Sequence, residues 1–127
     1  MSDQDKSNVA KLLELANKQR QLAEKLKLYS QELKKLEDHN KLEEEDLEKA
    51  QQLEELIEKI ESIEVRLFNK DQANKQAFLD LKKTIEDSKR CLNDIKHHNI
   101  TKLVKDADEL FKDSSILLED VAKLLEV

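Results

Sequence analysis

The side chains in this sequence that could do covalent or metal chemistry are few: His39, His97, His98 and a single cysteine, Cys91. A di-metal carboxylate site in a helical bundle needs two Glu-x-x-His pairs and further glutamates pointing inward. The residues three before the histidines are Leu36, Asp94 and Ile95, which gives one Asp-x-x-His and no second copy. Cys91, Asp94 and His98 fall at helical positions i, i+3 and i+7, so they share a face that could touch a zinc ion. Cys91 and His98 would nevertheless stand about 10 Å apart along the axis, too far for one ion unless the helix breaks between them. The expectation is a small semi-buried cysteine beside a polar helix end, with no metal and no cofactor.

Nucleophilic catalysis would need Cys91 or a serine held next to a base that a third group orients. The chain contains no glycine, so it lacks the usual material for a nucleophile elbow or a phosphate-gripping loop. Histidines at segment ends read as solvated caps rather than bases. An enzyme and a small-molecule substrate are therefore not expected. Nucleic acid is disfavoured too, because the net charge is -6 and the densest basic run, KHHNITKLVK, has no interleaved aromatic residues for stacking.

The elements that would position these residues are helices. Neither glycine nor proline occurs among the 127 residues, 41% are charged and 3% are aromatic. Tight hairpin turns are improbable without glycine, and the core must be aliphatic and narrow, as in bundles and coiled coils. Disorder is the competing reading, and the regular apolar stripes argue against it.

Four stripes follow a three-four spacing. The first is Leu12, Leu15, Gln19, Leu22, Leu26, Tyr29, Leu33 and Leu36, with Gln19 the polar member. The second is Leu53, Leu56, Ile60, Ile63 and Leu67; the third is Phe78, Leu81, Ile85, Ser88, Leu92 and Ile95. The fourth is Ile100, Leu103, Ala107, Leu110, Ser114, Leu117, Val121 and Leu124.

Between them the phase slips at His39-Asn40, Phe68-Asn69 and His98-Asn99, each marked by asparagine, a preferred N-cap. Glu43 and Gln72 stand three residues after Asn40 and Asn69, where they can complete a capping box, whereas Asn99 has Lys102 there. The pattern predicts an all-α antiparallel bundle of four long helices, a single domain over 1–127. The alternative is two very long helices in a coiled-coil hairpin, since no glycine or proline stops a helix at the slips.

Charge bears on that choice. Residues 37–64 hold twelve acids and three bases, whereas residues 18–35 hold six bases and two acids. A hairpin at 38–40 would lay the two stretches side by side, which favours the bundle; such pairs select orientation more than they add stability.

The terminal segment LFKDSSILLEDVAKLLEV is the most apolar part, with a stripe two columns wide. Such width reads first as burial on two sides within a bundle. The functional alternative is a docking helix, with Leu110, Phe111, Leu117, Leu118, Val121, Leu124 and Leu125 as its partner-binding face. A membrane surface is a weaker option, because the polar face carries Asp113, Glu119 and Asp120 rather than a lysine-rich belt. No apolar run has the length of a signal peptide or a membrane span, and one cysteine cannot form an internal disulfide, so a cytoplasmic protein is expected.

In overall texture the run DLEKAQQLEELIEKIESIE, residues 46–64, followed by the helix that starts at Asn99, resembles the small helical chaperones of flagellar type III export. Those are cytoplasmic bundles that hold an amphipathic helix of an export substrate. Small coiled-coil subunits of eukaryotic assemblies look similar, and in both cases the likeness lies in length, helix order and composition. The reading of the sequence is a non-enzymatic protein–protein interaction module, an adaptor, assembly subunit or chaperone, that binds partner helices or itself through its apolar seams. A reversible lipid binder that opens its bundle is the second reading.

Overall fold

The computed structural model describes residues 3–35, 44–68, 75–97 and 99–125. They form four helices: α1 (Asp3–Lys35), α2 (Glu44–Phe68), α3 (Lys75–Lys96) and α4 (Ile100–Leu125). Helices adjacent in the chain pack on one another, and α4 closes the ring by packing on α1, the most extensive interface in the bundle. The interface of α3 with α4 is the next largest, and α2 is held more lightly by both its neighbours.

The stripes explain this arrangement. Leu12, Leu22 and Leu26 of α1, Leu53 and Ile60 of α2, Leu81 and Ile85 of α3, and Leu110, Leu117 and Val121 of α4 are buried in one contiguous core. Small residues let the helices approach, with Ala16, Ala23 and Ala107 wholly enclosed. A helix that offers one apolar stripe must bury it against others, and four stripes close on one another.

Polar members of the stripes are accommodated in two ways. Buried hydroxyls turn back on their own helix: Thr84 Oγ1 donates to the Leu81 carbonyl at 2.9 Å and Ser114 Oγ to the Leu110 carbonyl at 2.6 Å. Gln19 instead reaches across the bundle, where its Nε2 donates to Ser88 Oγ at 2.7 Å and to the Thr84 carbonyl at 3.2 Å. This ties α1 to α3 across the diagonal.

The reversal between α3 and α4 is built without glycine. The Asn99 N–H closes back on the Asp94 carbonyl at 2.9 Å, which ends α3. The Asn99 side chain then accepts from the Lys102 N–H at 3.2 Å, an N-cap that starts α4. One asparagine therefore ends one helix and begins the next, and two continuous long helices are ruled out here. Asn40 and Asn69 lie outside the described residues.

Among the described residues, charge pairing differs from the sequence expectation. Glu54 and Glu61 of the acidic α2 meet Lys96 and Lys89 of α3 at 3.0 and 2.9 Å. From the basic stretch of α1, Lys27 meets Asp108 of α4 at 2.8 Å. The reason is topological: in a closed ring each flank of a helix faces a different neighbour, so a net charge read along the sequence does not choose between them.

Three substitutions test the packing and the cap by denaturant unfolding. Leu117→Ala, which empties an enclosed core position, should lower stability by about 2–5 kcal/mol, whereas Leu28→Ala, at a side chain 56% exposed, should stay within about 0.5 kcal/mol of the parent. Asn99→Ala should destabilise by about 0.5–2 kcal/mol, and an unchanged midpoint would contradict its double role.

Candidate interaction site and the acidic seam

Of the α4 residues singled out for docking, Leu110, Leu117 and Val121 are wholly enclosed in the chain's own core. Phe111 and Leu118 pack partly buried against that core. The side chains of Leu124 and Leu125 lie outside the described set. The width of the α4 stripe thus corresponds to burial against two neighbours, α1 and α3.

The part of that face still open to solvent lies where α4 runs past α1. Ala10, Leu13 and Asn17 of α1 and Leu118 and Ala122 of α4 line a shallow groove of about 540 Å³, edged by Glu14 and Glu119. Further along the same interface the Arg20 guanidinium sits over the Phe111 ring, 5.4 Å from its centre, and shields the aromatic face. A second groove, of about 390 Å³, separates α1 from α2 and mixes Leu15 with Lys11, Glu14, Glu58 and Lys59.

The other flank of α4 carries a feature that the sequence reading missed. Asp80, Asp87 and Asp94 recur every seventh residue along α3, as do Asp106, Asp113 and Asp120 along α4. Since the helices run antiparallel, Asp80 comes opposite Asp120, Asp87 opposite Asp113 and Asp94 opposite Asp106, with the carboxyls of each pair close enough to share a proton. Asp87 and Asp94 are 2% exposed and Asp106 is 5% exposed.

This corrects the expectation that Asp113 and Asp120 sit on a solvated face. Their side chains are 13% and 22% exposed, because α3 packs over the flank that carries them. Seven-residue spacing of aspartate in both halves of a helical hairpin was the available signal.

Burial is the main cause of an upward shift in carboxyl titration along this seam, and the facing acid adds to it. Asp80 is raised from an ordinary 3.8 to about 6, Asp94 to about 7 and Asp87 to about 8. Lys83 beside Asp80, Lys102 beside Asp94 and Arg90 beside Asp87 and Asp94 pull the other way without cancelling the rise. The contrast is Asp108, which Lys27 and Lys112 hold below the usual carboxylate range.

Cys91 lies in the same region, wholly buried and unpaired. Burial, followed by the nearby Asp106, Asp94 and Asp87, pushes its thiol well above the ordinary value. A thiol held protonated is a poor nucleophile and a poor metal ligand. Among the described residues no three His, Cys, Asp or Glu side chains converge as a metal site. His97 caps the end of α3, its Nδ1 lying 2.8 Å from the Asn93 carbonyl and its ring exposed. No described helix is long and apolar enough to cross a membrane.

No protein-family model, curated protein or solved structure matches the chain.

The buried setting of Cys91 can be checked directly. At neutral pH a thiol reagent should label it at least about a hundredfold more slowly in the folded chain than in denaturant, since access requires opening of the bundle. Rapid stoichiometric labelling of the native protein would show that the α3/α4 packing is wrong.

Proposed function

We propose that this chain is a non-enzymatic helical interaction module, an adaptor, assembly subunit or chaperone, that receives a partner helix along the α1/α4 groove. The observation that carries the proposal is the apolar lining of that groove, with Leu13 and Ala10 on one wall and Leu118 and Ala122 on the other. An amphipathic helix laid there would place its own i, i+3 and i+7 residues between the two walls. Glu14 and Glu119 at the edges favour a partner whose flanking residues are basic, which would set its orientation more than its affinity.

The enclosed leucines of α4 have a different part in this reading. Leu110, Leu117 and Val121 hold α4 in place, and Leu118, on the adjacent column, is the contact residue. Phe111 lies under Arg20 further along the same interface. The burial of Cys91 and the solvated position of His97 are in keeping with a protein that presents a surface rather than a reaction centre.

Affinity purification of the full chain under native conditions, followed by mass spectrometry and reciprocal capture, tests the proposal. Leu118→Glu and Leu13→Glu should each abolish recovery of the specific partner while leaving the helical content and cooperative melting of the chain intact. Ile116→Glu, at an exposed position of α4 away from the groove lining, should retain the partner. Equal recovery with all three variants would sink the α1/α4 groove as the docking site. Flotation with anionic and neutral vesicles separates this from lipid binding, which predicts that the protein rises with the vesicles.

A further inference from the structure

The geometry points to a proton-operated seam: the three facing aspartate pairs of α3 and α4 each hold one shared proton when the helices are packed, and the packing loosens as those protons leave. This stands apart from the α1/α4 groove, and holds whether or not that groove takes a partner.

The first support is repetition. One buried carboxyl pair could be an accident of packing, but here the juxtaposition recurs at every second turn of both helices, so it belongs to the interface as a whole. The second is the account of donors and acceptors. The Oδ2 atoms of Asp80, Asp87, Asp94 and Asp106 are buried without a hydrogen-bond partner among the described groups. Ionised carboxylates only accept, so two of them facing each other cannot bond. One proton turns one member into a donor, and a short charge-assisted O–H···O bond then joins the helices. Release of that proton to solvent leaves two buried carboxylates in contact, which repel each other and have lost their bond.

The third support is that the surrounding cations are few, exposed or shared. Lys83 lies 3.4 Å from Asp113 and is 64% exposed. Arg90 lies 3.5 Å from Asp87 but also approaches Glu86 and Glu109 of the seam's rim. Lys123 stands 3.9 Å from Asp120, and Lys102 acts on Asp94 from the start of α4. Among the described residues, the helices behind the seam do not supply the missing charge. From α1, Gln19 brings a neutral amide to Ser88, Lys27 is held by Asp108, and Arg20 lies over Phe111. From α2 come the acids Glu54 and Glu61, paired with Lys96 and Lys89.

The direction of the pH dependence follows from linkage. The folded state keeps protons that the unfolded chain releases near pH 4, so their contribution to stability is complete below about pH 4. It is lost as pH rises through the folded values of about 6 to 8. This is the reverse of ordinary acid denaturation.

Thermal melting of the full chain at constant ionic strength, from pH 5 to pH 8.5, is the test. The wild type should lose at least about 5 °C across that range. In Asp80→Asn/Asp87→Asn/Asp94→Asn each amide donates permanently to the facing carboxylate, so the profile should flatten and the melting temperature at pH 8.5 should rise. The single variant Asp87→Asn should move in the same direction by a smaller amount, and serves if the triple variant does not fold. Glu24→Gln/Glu48→Gln/Glu55→Gln removes the same charge from exposed positions and should keep the wild-type slope. A wild-type melting temperature that is flat or rises with pH overturns the proposal, as does a slope equally lost in the exposed triple variant.

Discussion

Leucine stripes by themselves permit helices to slide past one another by a heptad, because each slipped alignment again places leucine on leucine. Gln19 removes that freedom. It is wholly buried and its amide nitrogen finds acceptors at Ser88 Oγ and the Thr84 carbonyl, and a slipped alignment would strand it in an aliphatic interior at a cost of about 1–3 kcal/mol. A single polar residue at a core position is a known device for fixing alignment in helical bundles. Everything described on α3 inherits its level from this contact: the height of Cys91, the meeting of Lys89 and Lys96 with α2, and the pairing of acids with α4.

The two flanks of α4 then diverge in character. Toward α1 the contact is aliphatic, trimmed by a cation over an aromatic ring and by the Lys27–Asp108 pair. Toward α3 it is a column of carboxyls backed by an aliphatic core. Burial of apolar area holds both flanks, but the α3 flank alone couples that packing to proton uptake. The same helix can thus be firmly seated on one side and conditionally seated on the other.

Much of the fold was legible in the sequence because the core positions of a bundle repeat at a spacing that composition cannot hide. Every member of the fourth stripe whose side chain is described is buried, and Asn99 caps α4 where the phase slip placed it. What could not be read was which flank of each helix meets which neighbour. That depends on the closed ring, and it is why Glu54 and Glu61 of α2 meet bases of α3. The same ambiguity hid the seam: Asp113 and Asp120 look like solvated residues until α3 is known to cover them. The apolar width of α4 was legible as two columns, but its division between enclosed Leu117 and accessible Leu118 needed the ring as well.

The order in which the chain is made gives the ring a temporal consequence. Its largest interface joins α1 to α4, which α2 and α3 separate in the sequence, so the core stripe of α1 is covered on the α2 side alone until α4 emerges. The α3–α4 reversal, by contrast, spans only the few residues around Asn99 and can close quickly on local contacts. The bundle thus combines interfaces between successive helices with one long-range closure, and during synthesis the α4-facing leucines of α1 stay open to another helix until α4 arrives.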